Sequence, residues 1–282
     1  MITYKTFSVE SQKIIFSDLS VIQKKNEWEI LKNKVKNNSY HSRHIIKLIE
    51  ILNSNINASI LDHGCGSCST LLYLFCLGYK DIWGVDVSCE EKKINFFLKN
   101  ICDVKEERIF NLQDSKLNFE DNKFDLIISQ QVLEHVKYDQ KLIMIEEQSR
   151  VMKRGAFAYY QIPHILVPYE GHTKTWLIHW FPRKIAIFLY KIFGKNFIFF
   201  KDHLFLSFPS TYKRILKDKI GTLSDLSFER IITFSNEFKE LTGISLFMRI
   251  FIVRICRLPI LGNFFKKILV NFIMLELLVK KC

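Results

Sequence analysis

Apolar and polar positions follow two rhythms along this chain. Short apolar runs bounded by turn residues mark strands, and between them apolar residues fall at the three- and four-residue spacing of helices. Residues 1–55 are polar and read as helical, most clearly over 40–49. The run Ser59-Ile60-Leu61 stops at Asp62-His63-Gly64, as a strand entering a glycine turn does. A helix follows over 70–78, with Ser67 or Ser69 to cap it and Gly78 to close it. A second strand, 81–86, ends in Asp86, and a helix is expected over 90–98. A third strand, 108–112, leads into Gln113-Asp114, and a fourth, 124–129, is the clearest of all. A helix over 140–152 and a fifth strand over 156–162, ending at Pro163, complete the series. Strands alternating with helices predict a parallel sheet covered on both faces.

After Pro163 the rhythm breaks. Residues 164–182 predict a long irregular connection, and such connections in compact domains often serve as lids. Helices are expected over 183–193 and 210–219, a strand over 228–234, a basic apolar helical region over 244–267 interrupted at Pro259, and a last strand or helix over 272–279. The organisation expected is an N-terminal helical cap (1–55), a core (56–163), a lid insertion (164–225), and final strands with a basic amphipathic helical segment (226–282). The fold class expected is α/β, a Rossmann-like sheet that is mainly parallel, with helices on both faces.

Composition narrows this picture. A length of 282 residues suits one large domain, or a core with an elaborated end, and 48% apolar residues supply an ample core. The net charge of +12 is concentrated in one half: residues 161–282 carry 19 Lys/Arg against 8 Asp/Glu, whereas 1–160 carry 22 against 21. A basic second half favours anionic partners such as phospholipid head groups, nucleic acid or phosphorylated molecules. No uncharged apolar run reaches the ~18–20 residues needed to span a bilayer. The seven cysteines form no small secreted framework, and no basic start followed by an apolar run opens the chain, so a reducing cytoplasm is expected. The Cys65-Gly66-Ser67-Cys68 pair has neither a second pair nor a histidine at ligand spacing, so no metal centre is expected.

The chemistry concentrates after the first strand. Gly64 and Gly66 stand where the turn leaves the strand and where backbone must approach a ligand closely. Asp86, at the end of the next strand, has the spacing of an acid that accepts from ribose hydroxyls. Asp114, after the third strand, could accept from an adenine amino group. Ligands of open α/β sheets bind at this carboxyl edge. A nicotinamide dinucleotide is the competing ligand, but the third glycine of that fingerprint is missing.

These residues resemble a known family. Asp62-His63-Gly64-Cys65-Gly66, Gly84-Val85-Asp86-Val87-Ser88, Phe124-Asp125-Leu126-Ile127-Ile128-Ser129 with Val132-Leu133-Glu134-His135-Val136, and Arg150-Val151-Met152-Lys153-Arg154-Gly155 match, in order and spacing, the class I S-adenosylmethionine-dependent methyltransferases of the ubiquinone-biosynthesis-like (type 11) group. The resemblance spans about 57–163. It implies a seven-stranded sheet with S-adenosyl-L-methionine lying across the tips of the first strands. It assigns Asp62, His63, Gly64, Cys65 and Gly66 to the loop at the methionine end, Asp86 and Val87 to the ribose side, Asp114 and Ser115 to the adenine, and Gln130 to a place beside the cofactor. It also implies that the closing segment inserts into the sheet as its last strand. The chain departs from the pattern at Cys68, where the family usually has glycine, and at Arg154, where it usually has proline.

A sulfonium methyl group is intrinsically electrophilic, so the protein's task is chiefly to align a nucleophile, with a base where that nucleophile carries a proton. His135, after the fourth strand, His164, at the fifth strand's tip, and His172, in the lid, are the candidates. Glu134 reads as helix-capping or solvent-facing. Trp176, Trp180 and Phe181 could wall an acceptor. The function expected is methylation of a small molecule, a glycan, lipid-linked or quinone-like acceptor, in the cytoplasm at the inner face of a membrane. Basic residues amid Phe, Ile and Leu over 244–267 suit peripheral contact with anionic lipid. Aromatics there interleave with aliphatics, not with Gly or Ser, which argues against nucleic acid. The alternatives are a membrane-associated module that binds S-adenosylmethionine without catalysis, and an RNA methyltransferase.

Overall fold

The structure is a computed structural model, and it describes residues 51–282 apart from 54, 67, 102–103, 114–115, 229–250, 253, 257 and 260. The expected N-terminal cap, the strand over 228–234 beyond Phe228, the first part of the basic region, and Asp114 with Ser115 lie outside the described residues.

Strand β1 (Ile60–His63) is buried along its whole length, as a central parallel strand covered on both faces must be. Helix α1 (Ser69–Cys76) follows, then β2 (Ile82–Asp86), α2 (Glu91–Ile101), β3 (Ile109–Asn111) and β4 (Phe124–Gln130). β1 pairs in parallel with β2 on one side and β4 on the other, and β2 pairs in parallel with β3. A short 3-10 turn, Leu133–His135, leads to α3 (Tyr138–Val151) and β5 (Met152–Ile162). Then come a two-stranded hairpin of β6 (Tyr169–Glu170) and β7 (Thr175–Trp176), a 3-10 turn at Ile178–Trp180, α4 (Arg183–Ile192), α5 (Phe197–His203), α6 (Pro209–Lys219) and β8 (Gly221–Asp225). Helix α7 (Leu261–Leu269), a 3-10 turn at Val270–Phe272 and β9 (Leu275–Lys281) close the chain.

The sheet has seven strands in the order β3-β2-β1-β4-β5-β9-β8. This is the expected α/β architecture, with the chain's last strand inserted between β5 and β8. Strand order reverses at β1, from which β2 and β3 run out to one side of the sheet and β4 and β5 to the other, and ligands of open α/β sheets bind at the carboxyl ends beside such a switch point.

Two differences from the sequence reading have physical causes. The described edge strand is Gly221–Asp225, which falls in the segment expected to belong to the lid insertion. Its Gly-Thr-Leu-Ser-Asp sequence is mostly exposed and carries almost no apolar signal, so only pairing within the sheet identifies it. Gly221 is needed there: its φ is +148°, and a Cβ would meet the Lys280 carbonyl oxygen at 2.5 Å. The connection over 164–182 is also more ordered than its composition predicts, because the hairpin is organised by side-chain hydrogen bonds to Glu170.

The described residues divide into two compact units. The first holds the residues up to Gln130 with Glu146–Tyr159 and Lys281, and the second holds Gln131–Ile145, Tyr160–Lys280 and Cys282. The second has a core of its own, where Ala186 and Tyr190 of α4 pack with Phe200 and Leu204 from the α5 region.

Candidate active site

In the first unit, β1 ends in the turn Gly64-Cys65-Gly66. Gly64 and Gly66 have φ of +89° and +51°, a region glycine enters without steric cost. The amides of Gly64 and Cys65 both donate to the Val85 carbonyl, which pins the turn to β2. Gly84, in mid-β2, has no room for a side chain: a Cβ would lie 2.5 Å from Leu71 of α1 and 2.9 Å from Ile109 of β3. The missing side chain lets α1 settle on the sheet and so fixes where the turn sits.

Asp86 closes the arrangement. Its carboxylate accepts from the Gly66 amide at 2.8 Å and the Ser88 amide at 2.9 Å, joining the carboxyl ends of β1 and β2. Next to it Val87 is 78% exposed, an apolar surface on the rim of the crevice. Above Gly66 a Cβ would meet no atom within 4 Å. Gln130, at the end of β4, accepts from the Thr70 hydroxyl at 3.2 Å, but its buried amide nitrogen has no partner. Asp62 is buried, and burial, reinforced by the Asp86 charge, pushes its carboxyl up to about 7. An open space over a glycine, an orphaned amide donor, an exposed apolar rim and two acids fit a cationic nucleoside such as S-adenosylmethionine.

Two residues of the loop face elsewhere. The His63 ring accepts from the Gln148 amide of α3 at 3.2 Å, and burial brings it down to about 4, so it is a neutral packing residue. The Cys65 and Cys68 sulfurs lie 3.5 Å apart among buried atoms. Cys68, at the family's glycine position, has φ of +59°.

The second unit gathers a different set. Glu134, in the 3-10 turn after β4, is fully buried, and neither carboxylate oxygen has a hydrogen-bond partner. The sequence reading of a capping or solvent-facing acid is therefore corrected. Burial pushes its carboxyl up to about 8. His135 beside it donates from Nδ1 to the His203 carbonyl at 2.7 Å, and its Nε2 lies 3.7 Å from Glu134 Oε1. Burial holds the His135 ring below the usual histidine range.

His172 donates from Nδ1 to Glu170 Oε1 at 2.7 Å, and this carboxylate raises its pKa despite partial burial. Burial pushes Glu170 upward, but hydrogen bonds from His172 and Thr173 outweigh it and bring the carboxyl down to about 2. Thr173 Oγ1 in turn meets the hydroxyl of Tyr190 at 3.2 Å. The core of the insertion thus reaches the dyad through one threonine. The His135 and His172 rings meet edge to face, with centroids 4.8 Å apart, and His172 stacks on Phe199.

His164 is separate from this cluster. Its Nε2 donates to the Ile273 carbonyl at 2.7 Å and its Nδ1 accepts from the Leu166 amide at 3.2 Å, so both ring nitrogens are committed. It ties a loop down and has no lone pair for base work. Trp176, Trp180 and Phe181 are largely exposed. Lys141, which sequence reasoning passed over, is 1% exposed and donates to the Phe205 carbonyl, Ser207 and Tyr212. Burial lowers it to about 8. Neither Lys141 nor Glu134 could be found from local pattern, because each lies in a polar turn or helix that the later segment 203–212 covers.

The strand order and the acid-bearing glycine turn define a class I S-adenosylmethionine-dependent methyltransferase fold. Comparison with known families agrees: residues 61–160 match the methyltransferase domain family Methyltransf_11. Residues 61–160 thus form a methyltransferase domain, and the methyl donor that such a domain uses is S-adenosylmethionine. Among solved structures it is similar to the YcgJ protein from Bacillus subtilis, at 15% identity over 85% of this chain and 99% of that one, with a TM-score of 0.48. Geranyl diphosphate C-methyltransferase from Streptomyces coelicolor A3(2), crystallised with Mg2+, geranyl diphosphate and S-adenosyl-L-homocysteine, is 12% identical over 89% of this chain and 82% of its own, with a TM-score of 0.46. Haemonchus contortus phosphoethanolamine N-methyltransferase 2, with S-adenosyl-L-methionine, is 13% identical over 94% of this chain and 59% of its own, with a TM-score of 0.48. No curated protein sequence matches the chain.

Proposed function

We propose that this enzyme methylates a protonated oxygen or nitrogen of a small-molecule acceptor, and that Glu134, His135 and His172 form the acceptor-activating group. The observation that carries this reading is the Glu170–His172 pair. A buried acid fixes Nδ1–H, orients the ring and leaves the Nε2 lone pair for a proton or an electrophile.

On the donor side, S-adenosylmethionine supplies an electrophilic methyl. Asp86 and the Gly64-Cys65-Gly66 backbone are proposed to hold its ribose and methionine portions, and Val87 its adenine edge. Gln130 is proposed to donate its spare amide hydrogen to the cofactor. Asp62, ionised when a cation lies beside it, is proposed to face the positively charged end. Asp114 and Ser115 keep their proposed place near the adenine. His63 and Cys65 act here through the loop backbone.

We further propose that the enzyme works on a membrane surface, in the cytoplasm, on a lipid-linked or similarly anchored acceptor. Helix α4 buries Ala186 and Tyr190 but exposes Ile185, Phe188 and Ile192. Helix α7 exposes Leu261, Phe264, Phe265 and Ile268 beside Lys266 and Lys267. Trp180 and Phe272 touch, at 6.3 Å between ring centroids, linking the turns that flank these helices. Apolar side chains set among lysines match an anionic lipid surface in both hydrophobicity and charge. Among the described residues no helix is long and apolar enough to cross a membrane.

Transfer of labelled methyl from S-adenosylmethionine into a lipid extract by the full chain tests the proposal. Label in the extract and none in RNA supports it. Label in RNA alone overturns it in favour of nucleic-acid methylation, and binding of the cofactor without turnover on any extract favours a non-catalytic module. Flotation with anionic vesicles, lost in a Phe264→Glu, Lys266→Glu double variant, tests the surface contact.

A further inference from the structure

We propose that Glu134, His135 and His172 form a site for a divalent transition-metal ion of the zinc type, with one coordination position left open to the acceptor. A carboxylate oxygen of Glu134 and one ring nitrogen from each histidine all lie within 4.8 Å of one another. A tetrahedral ion with ligands at ~2.0–2.1 Å spaces them roughly 3.4 Å apart, so small side-chain rotations close the site. The Glu134–His135 pair, at 3.7 Å, is already near that spacing.

Three independent features point to a cation. The first is the outer shell. Metal-binding histidines donate their second ring N–H to a carboxylate or a backbone carbonyl, which fixes tautomer and orientation. Both histidines do so here: His172 to Glu170 at 2.7 Å, and His135 to the His203 carbonyl at 2.7 Å. Each therefore keeps its lone pair on the other nitrogen.

The second feature is Glu134 itself. A buried carboxylate is costly unless it is paired, hydrogen-bonded or bound to metal. Glu134 is fully buried with no hydrogen bond to either oxygen. The nearby Lys141 ammonium lends it charge but no hydrogen bond, because it donates to the Phe205 carbonyl, Ser207 and Tyr212. The third feature is the gradient of exposure. Glu134 is buried, His135 half-buried and His172 exposed, so the cluster opens to solvent on one side. Structural zinc sites are closed by four protein ligands, whereas catalytic ones combine three, including His2Glu sets, with an open position.

Assigning that open position to an acceptor oxygen rests on the small-molecule methyltransferase reading. The metal site itself does not. A coordinated hydroxyl would lose its proton more readily, as metal-bound water does.

The test uses the full chain, stripped with chelator and titrated with Co2+, then displaced by Zn2+. The expected result is one equivalent bound, with visible d–d bands of a four- or five-coordinate N/O site that Zn2+ removes. His172→Ala, at the exposed rim, and Glu134→Gln should each weaken Co2+ binding by about 100-fold or more, and Glu170→Gln by roughly 10–100-fold as an outer-shell change. Affinity for S-adenosylmethionine, measured by calorimetry in the same samples, should stay at the wild-type value. No stoichiometric Co2+ binding, or equal binding in His172→Ala, overturns the site. So does an intense near-ultraviolet sulfur-to-cobalt band that survives in His172→Ala, which would place the ion on Cys65 and Cys68. Stoichiometric metal without methyl transfer would leave the site standing and sink only the acceptor reading.

Discussion

The two units assemble their chemistry by different means. In the first, the groups sit at the ends of neighbouring parallel strands and much of the work falls to backbone: two glycines at positive φ, amides pinned to Val85, and Asp86 gripping the loop. In the second, the groups come from a 3-10 turn and a hairpin far apart in sequence, and side chains do everything. His135 and His172 are brought together by their edge-to-face contact and by shared packing on Phe199, not by a strand register. A backbone site tolerates changes in its side chains except those, such as Asp86, that hold its turns in place. A side-chain site has the opposite sensitivity.

The largest effect that would sharpen this contrast is expected from Asp86→Ala. It removes a carboxylate that two loop amides donate to and that is proposed to face the ribose. Charge-assisted hydrogen bonds contribute roughly 1.5–3 kcal/mol each, so cofactor affinity should fall by about 100-fold or more. Calorimetry with S-adenosylmethionine measures this, and an unchanged dissociation constant would remove Asp86 from the site. His172→Asn should behave in the converse way. Turnover should drop by about 100-fold, the low end of what a group that takes the acceptor's proton contributes, with cofactor affinity unchanged. If both quantities fell together, the division of labour between the units would be wrong.

This contrast also explains what was legible in the sequence. The first unit's strands, the glycine turn and Asp86 were readable because each is a local pattern: an apolar run, a glycine where the backbone turns, an acid at a strand end. The family resemblance implies seven strands and an inserted last strand, whereas the strand order and the place of β9 between β5 and β8 come from the structure. In the second unit, His135 and His172 were visible as residues but not as a cluster, because their meeting depends on Phe199 and Glu170. Glu134 carries the local pattern of a capping or solvent-facing acid, as acids in polar turns normally do. The later segment crosses this turn, where the Phe205 amide donates to the Glu134 carbonyl at 2.6 Å, and nothing local to the turn announces it. His164 had the right position and the wrong surroundings. The sequence gives no local sign that Glu134, His135 and His172 converge, because they lie on a turn and a hairpin far apart in the chain.

A pH titration separates the units on a smaller scale. The Asp62 carboxyl is pushed up to about 7 by burial and by Asp86, from an ordinary value of 3.8. A raised acid holds its proton in the folded state, so its contribution to stability is full below about 3.8 and is lost as pH rises through about 7. Cationic S-adenosylmethionine favours the ionised form. Below pH 7 the cofactor must displace that proton, so its affinity should rise roughly tenfold per pH unit and level off above pH 7. Calorimetry from pH 5.5 to 8 measures this, and Asp62→Asn should flatten the profile. A profile that stayed steep in Asp62→Asn would assign the proton to another group.

The smallest predicted effect tests the departure from the family pattern, Cys68. A side chain at φ of +59° costs roughly 1–2 kcal/mol relative to glycine. Against this, Cys68 is 1% exposed and its sulfur packs on Cys65, burial that contributes about 1 kcal/mol. The two terms nearly cancel, and glycine's extra freedom in the unfolded chain costs a further ~0.5–1 kcal/mol. Cys68→Gly should therefore leave the melting temperature within a few degrees of the wild type, a net change of about 1 kcal/mol or less. Cys68→Val keeps the burial but places a β-branched side chain in the left-handed region, where it is far less at ease, and should cost about 2 kcal/mol or more. Because the loop acts through its backbone, cofactor affinity should follow the loop geometry and not the thiol. Cys68→Gly should then bind S-adenosylmethionine at least as tightly as the wild type. A large loss of affinity in Cys68→Gly, at unchanged stability, would show that the thiol itself contributes and that the loop is not a purely backbone device.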